Sequence, residues 1–240
     1  MTRPPVHLKH LLLLALAATL LLSTGCALTR MQKARELARH SEALQAQPAR
    51  PSQRLLILGD STAVGTGATA GAASVAGLIA QAHPDWTIVN RGVDGARFAD
   101  LPAQLPAGER FDLLLILCGG NDVIRLTGEA DLHRQVRQIA ELGHAVAPRV
   151  ILMPPGNVGN APFFHAPLSW WMSRRARMLH EAVRSAAAAT GAAYVNLYRE
   201  AADDPFAREP ERLHAADGLH PSDAGYAQWH SELQRQAGLR

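Results

Sequence analysis

The chain has 240 residues, 48% of them hydrophobic, and its formal net charge is +3. This composition excludes a largely disordered chain, and the length suits one domain that can bury a core. Arg3 and Lys9 supply two of the positive charges ahead of an apolar run, so the rest of the chain is nearly neutral. Because the other basic residues are scattered and form no stripe with interleaved aromatics, nucleic acid is not expected as a partner.

The N-terminal residues have the three parts of a secretory signal. A basic segment is followed by the apolar run Leu11–Leu22 and then by small residues. A membrane-spanning helix needs roughly 20 apolar residues, and this run is shorter. We therefore predict a signal peptide over residues 1–25, with an uncleaved signal anchor as the alternative.

Cys26 gives the end of this signal a second feature. The stretch LSTGC resembles a bacterial lipobox, in which the cysteine is lipidated, but Ser23 stands where the motif usually has Leu. The resemblance implies lipidation of Cys26 and a membrane-anchored lipoprotein. The alternative is ordinary cleavage after Ala27, which would release a soluble periplasmic protein. Both routes export the chain.

The segment that follows, residues 26–53, is predicted to be a spacer. Arg30–Gln47 is charged and favours a helix, but it has little apolar face, and Pro48–Ser52 ends it. Such a segment is typical of a linker between a membrane and a domain. A terminal helix docked on the domain is the alternative.

From residue 54 to residue 240, apolar strand-like runs alternate with helical patterns. In chain order the patterns predict a strand at Arg54–Leu58, a helix at Ala70–His83, a strand at Trp86–Asn90, a short helix at Phe98–Leu105, a strand at Phe111–Cys118, a helix at Glu129–Ala147, a strand at Pro148–Met153, a helix at Leu168–Thr190, a strand at Ala193–Leu197 and a helix at Ser222–Gln236. This order predicts an α/β fold of three layers, α/β/α, with a parallel sheet of about five strands. Sites in such sheets lie at the carboxyl ends of the strands.

Four polar motifs occur at or near such positions. They are Gly59-Asp60-Ser61, Asn90-Arg91-Gly92-Val93-Asp94-Gly95, Gly119-Gly120-Asn121-Asp122 and Asp217-Gly218-Leu219-His220-Pro221. A serine hydroxyl becomes a nucleophile only when a base takes its proton, and a histidine held by a carboxylate can serve. An asparagine amide can donate to a developing oxyanion. Each motif alone is also compatible with an ordinary turn or a surface pair.

Taken together and in this order, the motifs resemble the SGNH (GDSL-like) hydrolase superfamily over residues 54–240. The resemblance implies that Ser61 is the nucleophile, that His220 is its base and that Asp217 orients the imidazole. It also implies the superfamily's flavodoxin-like fold, a five-stranded parallel sheet between helices. The triad uses neither a metal ion nor an organic cofactor.

The same resemblance implies an oxyanion hole with three donors. These are the backbone N–H of Ser61, the backbone N–H of Gly95 and the side-chain amide of Asn121. Gly92 lies in the same loop as Gly95 and is the alternative for the second donor.

One aromatic segment follows the fourth predicted strand on the side of the site. Pro154–Met172 contains Phe163, Phe164, Trp170 and Trp171. We interpret it either as the wall of an acyl pocket or as a loop packed into the core.

The sequence thus predicts a serine esterase with a small ester as its partner. The candidate substrates are acyl esters, thioesters and lysophospholipids. A carbohydrate O-acetylesterase or an acyltransferase on the same triad is one alternative. An inactive binding module is another, and the complete set of motif residues argues against it. The sequence gives no indication of the oligomeric state.

Overall fold

A parallel sheet forms the centre of the computed structural model, which describes residues 29–239. Its strands lie in the order β2-β1-β3-β4-β5, and every neighbouring pair is parallel. The strands are β1 (Gln53–Gly59), β2 (Trp86–Asn90), β3 (Leu113–Leu117), β4 (Arg149–Leu152) and β5 (Ala193–Tyr194). The predicted three-layer α/β/α fold with a five-stranded parallel sheet is confirmed.

Helices cover both faces of this sheet. They are α1 (residues 29–40), α2 (Ser61–Val64), α3 (Val75–Ala82), α4 (Gly120–Ile124), α5 (Glu129–Val146), α6 (Leu168–Thr190), α7 (Pro205–Arg208), α8 (Pro210–Leu213) and α9 (Asp223–Ala237), with short 3₁₀ helices at Gly71–Ala73, Phe98–Gln104 and Val158–Asn160. No helix in this part of the chain is both long and apolar enough to cross a membrane.

The central strands are apolar throughout because each of their faces packs against helices. In β1, Leu56 and Leu58 belong to the core cluster that α5 and α6 cover. Leu55 and Ile57 alternate with them and belong to the cluster that α3 and α9 cover. This burial on both faces leaves the ends of the strands as the places where polar side chains can meet a ligand.

The short elements depart most from the sequence prediction. The predicted helix at Ala70–His83 begins only at Val75, because the Ser74 hydroxyl accepts the N–H of Gly77 and caps α3. The helices α2 and α4 follow β1 and β3 directly and were not predicted. Helices of this length are too short to show an apolar period.

The segment between α1 and β1 lies against the edge of the sheet. Ala46 and Ile88 form an antiparallel bridge, with N···O distances of 3.1 and 2.9 Å. The Gln45 side chain adds two bonds to the backbone of Asn90, at 3.0 and 2.7 Å. These contacts favour the docked alternative for this segment. The predicted signal peptide and Cys26 lie outside the described residues.

Candidate active site

The turn after β1 is fixed by backbone contacts. At Gly59, φ is +152°, and a Cβ atom would lie 1.8 Å from the carbonyl oxygen of Leu117, so only glycine fits. Asp60 N–H donates to that same oxygen at 2.9 Å. The buried Gln104 amide accepts from the N–H of Gly59 and donates to its carbonyl, both at 2.9 Å. These hydrogen bonds hold the backbone of Gly59 and Asp60 in place directly before Ser61.

Asp60 connects the turn after β1 with the turn after β3 at the edge of the sheet. Its carboxylate accepts the N–H and the hydroxyl of Thr62, at 2.9 and 2.8 Å, and so caps α2. It also accepts the N–H of Gly119 at 3.2 Å, in the turn after β3. Burial raises the pKa of Asp60, although its hydrogen bonds act in the opposite direction. The carboxylate fixes Ser61 relative to the second turn.

Ser61, His220 and Asp217 form a hydrogen-bonded chain. The Oγ of Ser61 lies 2.9 Å from Nε2 of His220, and Nδ1 of His220 lies 2.5 Å from Oδ2 of Asp217. Burial acts to raise the pKa of the fully buried Asp217, but hydrogen bonds and the charge of His220 outweigh it and lower that pKa. An ionised Asp217 holds the proton of the imidazole on Nδ1, which leaves Nε2 to accept from the serine hydroxyl.

A closed turn between α8 and α9 presents the histidine. Oδ1 of Asp217 accepts the backbone N–H of Leu219 at 2.9 Å and that of His220 at 3.1 Å. Ala215 N–H donates to the carbonyl of His220 at 2.8 Å, and Gly218 adopts φ +69°. These contacts set the imidazole before any substrate arrives.

Three N–H donors lie near the serine. The backbone N–H groups of Ser61 and Gly95 donate to no acceptor within residues 29–239. The Asn121 amide donates to the carbonyl of Ala96 at 3.2 Å, and its second N–H is left over because an amide nitrogen carries two. All three donor residues line the cavity that contains Ser61. Free donors of this kind suit an oxygen that gains negative charge.

Gly92 and Gly95 differ in what surrounds them. Gly92 N–H donates to the side chain of Asn90 at 3.0 Å, and a Cβ atom there would lie 2.8 Å from the Cβ of Ala63. Gly92 therefore permits close packing of the loop on α2. Gly95, with φ +79°, lines the cavity and keeps its N–H unengaged within the described chain.

A cavity of about 510 Å³ adjoins these groups. One of its walls is α1, which contributes Met31, Ala34, Arg35 and Ala38. These residues follow the spacing i, i+3, i+4 and i+7, so they share one face of the helix. Arg30 fastens the start of the helix by donating to the carbonyl of Pro162. Sequence reasoning missed this wall because the small residues at this spacing resemble no apolar stripe.

The aromatic side chains of the segment Pro154–Met172 lie in different environments. Phe163 lines the cavity, as expected of a pocket wall, whereas Phe164 is buried in the core. Trp170 and Trp171 fit neither interpretation, since they are 71% and 50% exposed. The pocket-wall interpretation therefore describes Phe163, and the core-packing interpretation describes Phe164. The two tryptophans require another explanation.

His180 supports the cavity from within the core. Its Nε2 lies 2.7 Å from the carbonyl oxygen of Pro155, a cavity residue, and its Nδ1 lies 2.6 Å from the hydroxyl of Tyr194. Burial lowers the pKa of His180 to about 4, so the ring is neutral at pH 7. Residues 29–239 contain no group of three or more His, Cys, Asp or Glu side chains arranged to hold a metal ion.

Comparison with known proteins places the chain among esterases. The model of the GDSL-like lipase/acylhydrolase family matches residues 57–228. No curated protein sequence matches the chain. Similar solved structures include an alpha/beta hydrolase enzyme from the metagenome of Lake Arreo, Spain, with 20% identity, 79% of this chain and 97% of that chain covered, and a TM-score of 0.61. An acetylxylan esterase from Geobacillus stearothermophilus has 21% identity, coverage of 80% and 97%, and a TM-score of 0.56. A lipolytic protein of the G-D-S-L family from Veillonella parvula has 15% identity, coverage of 76% and 96%, and a TM-score of 0.61.

Proposed function

Because the chain belongs to the GDSL-like lipase/acylhydrolase family and is a carboxylic ester hydrolase, we propose that it forms an acyl-enzyme on Ser61. The observation that carries the proposal is the hydrogen-bonded chain from Ser61 through His220 to Asp217, with distances of 2.9 and 2.5 Å. In it a hydroxyl, an imidazole nitrogen and a buried carboxylate lie in the order that nucleophilic catalysis needs.

In the first half-reaction, the Oγ of Ser61 attacks the carbonyl carbon of the ester while Nε2 of His220 takes the hydroxyl proton. The carbonyl oxygen becomes an oxyanion, and the free N–H groups of Ser61, Gly95 and Asn121 donate to it. The bond from carbon to the alcohol oxygen then breaks, and His220 gives its proton to the departing alcohol. Asp217 stabilises the imidazolium while it carries that proton.

In the second half-reaction, a water molecule attacks the acyl-enzyme. His220 takes a proton from this water and later returns one to the Oγ of Ser61 as the carboxylic acid leaves. The protons balance within the triad and the water, so the reaction consumes no cofactor. An alcohol that replaces the water would give acyl transfer on the same residues.

The proposed substrates are acyl esters that fit a cavity of about 510 Å³. Thioesters and lysophospholipids are two further substrate types to be tested. Acetylated carbohydrate is a fourth type, because an acetylxylan esterase shares this fold. A panel of these four substrate types ranks the candidates by kcat/KM.

Labelling with a fluorophosphonate probe tests the nucleophile. Peptide mapping should locate the label on Ser61, and Ser61→Ala should lose turnover by more than about 10⁴-fold. Ser185→Ala is the matched control, since Ser185 is an exposed serine on α6 and its loss should change nothing. A label on another serine, or retained turnover in Ser61→Ala, would overturn the proposal. A folded protein that neither reacts with the probe nor turns over any ester would be a binding module.

We also propose that the chain is exported and that Cys26 holds it on a membrane. The sequence supports this through the apolar run Leu11–Leu22 and the lipobox-like stretch that ends at Cys26. Expression in a bacterial host, membrane fractionation and mass analysis of the mature N-terminus test it. The Cys26→Ser variant should lose the lipid mass and move to the soluble fraction. A soluble wild-type protein beginning at Leu28 would end the anchoring proposal and leave the esterase proposal intact.

A further inference from the structure

The exposed apolar side chains of this protein are concentrated around the cavity. Among residues 29–239, the exposed large apolar residues are Met31, Val93, Leu126, Leu142, Leu168, Trp170 and Trp171. Leu142 lies apart, on α5. The other six, which we call the apolar rim, belong to the elements that surround the cavity or to the first turn of α6. Apolar side chains grouped in this way on a surface mark an interaction site.

Two contacts join the parts of the apolar rim. Arg30, which precedes Met31, donates to the carbonyl of Pro162 and lies 3.4 Å from the ring of His165, three residues before Leu168. On the other side, Arg175 of α6 donates to the carbonyl of Thr127, which follows Leu126. Helix α1 therefore contacts the segment just before α6, and the link after α4 contacts α6 about two turns from its start.

Val93 and Met31 connect this surface to the cavity itself. Val93 is 55% exposed and stands next to the cavity residues Asp94 and Gly95. Met31 is 43% exposed and also lines the cavity. A partner that covers the apolar rim would consequently lie at the entrance to the site.

Tryptophan at such a position indicates the kind of partner. Trp170 and Trp171 are largely exposed, whereas the other two tryptophans, Trp86 and Trp229, are buried at 8% and 6%. A tryptophan ring suits the boundary between water and lipid, because it is apolar over most of its area and carries one N–H donor. Beside the rings, α1 has four basic residues and a single acid, Glu36, which suits anionic lipid headgroups.

The course of the chain points to the same partner. The apolar run Leu11–Leu22 ends seven residues before residue 29, where the described part of α1 begins. Seven residues reach at most about 25 Å even when extended. A membrane that holds the leader or Cys26 therefore keeps α1, and the rim beside it, within that distance. A second copy of the chain would not explain why Met31 of the apolar rim follows the leader so closely in sequence.

We propose that the apolar rim is a docking surface for a lipid bilayer, which seats the entrance of the cavity on the membrane. Trp170, Trp171 and Leu168 enter the boundary of the acyl chains, and the basic residues of α1 lie against the headgroups. This surface does not depend on catalysis, so it can be tested in a Ser61→Ala protein.

Intrinsic fluorescence measures the docking directly. The full chain is combined with phospholipid vesicles, neutral or one-quarter anionic, whose acyl chains carry bromine near the headgroup. Bromine quenches only tryptophans that enter the bilayer, and residues 1–28 contain none, so the leader contributes no signal. We expect quenching of about half of the emission, from the two exposed tryptophans, together with protection from iodide in the water. Trp170→Phe with Trp171→Phe should remove the quenchable component.

A matched pair of variants separates docking from mere tethering. Leu168→Ser removes an apolar rim residue and leaves every tryptophan in place, so bromine quenching should fall at least about twofold. Leu142→Ser removes an exposed leucine near the C-terminal end of α5, outside the apolar rim, and should leave the quenching unchanged. The proposal is overturned if bromine does not quench and iodide still reaches Trp170 and Trp171. A lipid-free dimer that shields these tryptophans from iodide would also overturn it, in favour of self-association.

Discussion

The cavity has a floor and a roof that are built differently. The floor comprises the turns with Ser61 and Asn121 and the loop with His220, which are buried or partly buried, and hydrogen bonds link the two turns and connect Ser61 to His220. The roof is α1, whose inward face lines the cavity while most of its other residues are exposed. In the proposed mechanism the floor carries out the chemistry, because proton transfer requires atoms within hydrogen-bond distance. The roof is free to set which substrate enters, because contact with an ester requires only shape and polarity.

The largest effect should come from removing the proposed general base, which is part of the floor. His220→Ala should lower kcat by about 10⁴–10⁶-fold, because the Ser61 hydroxyl then has no group to take its proton. The double variant with Ser61→Ala should be little worse than either single one, since the two residues act as one unit. Steady-state and burst-phase kinetics with a chromogenic ester measure this. Multiplicative losses in the double variant would show that the residues act separately.

A smaller effect should follow from removing one donor of the floor. Asn121→Ala should lower kcat by about 10²–10³-fold with little change in KM, because the amide matters most once the oxygen carries charge. Gly92→Ala is not a suitable control, as it would crowd Ala63. Asn160→Ala removes an amide that bonds to Asp204, outside the candidate triad, and its kcat should stay close to that of the wild type. An unchanged kcat in Asn121→Ala, with chemistry rate-limiting, would contradict the donor role.

The roof should affect selection more than chemistry. Ala38→Phe places a large side chain on the inward face of α1, so kcat/KM for a long acyl ester should fall about tenfold while an acetyl ester is spared. Arg39→Phe puts the same side chain on the neighbouring position, which does not line the cavity, and should leave both esters unaffected. Equal losses for the two esters in Ala38→Phe would mean that α1 has no part in selection.

The last effect concerns the support beneath the cavity and should appear in stability and hardly at all in the rate. Burial lowers the pKa of His180 from 6.5 to about 4. At pH values between these two, the unfolded chain therefore binds a proton at His180 and the folded chain does not. The stability that neutral His180 contributes to the fold is fully present above pH 6.5 and is lost as the pH falls toward 4. The free energy of unfolding should drop by up to about 3 kcal/mol in that window.

His180→Gln tests this dependence, because glutamine does not titrate and can still donate to the carbonyl of Pro155. Urea unfolding at pH 7, 5.5 and 4.5 should give a flatter profile for the variant than for the wild type. Parallel profiles would show that another group is responsible for the acid sensitivity.

The strands and part of the floor could be predicted because their signals are local. β3 is a continuous apolar run, and burial on both faces requires one. Ser61 and Asn121 follow β1 and β3, and parallel strands end at one edge of the sheet, so these two residues could be expected to lie close together. His220 lies in the loop before α9, and only the resemblance to a known superfamily linked it to Ser61. Only the assembled structure brings His220 to 2.9 Å from Ser61, which is 159 residues away in the chain. The choice between Gly92 and Gly95 was left open, because both are glycines in one loop.

The sequence by itself determined the fold class and the strands, since apolar periodicity lies within short stretches of chain, and its motifs pointed to the candidate triad only through their resemblance to a known superfamily. Only the tertiary structure decided where α1 and the two tryptophans lie. The partner of Arg30 is a carbonyl 132 residues away, and Ala46 pairs with a strand that forms far along the chain. Such contacts depend on surfaces that exist only after the sheet and its helices have assembled, so no local pattern records them.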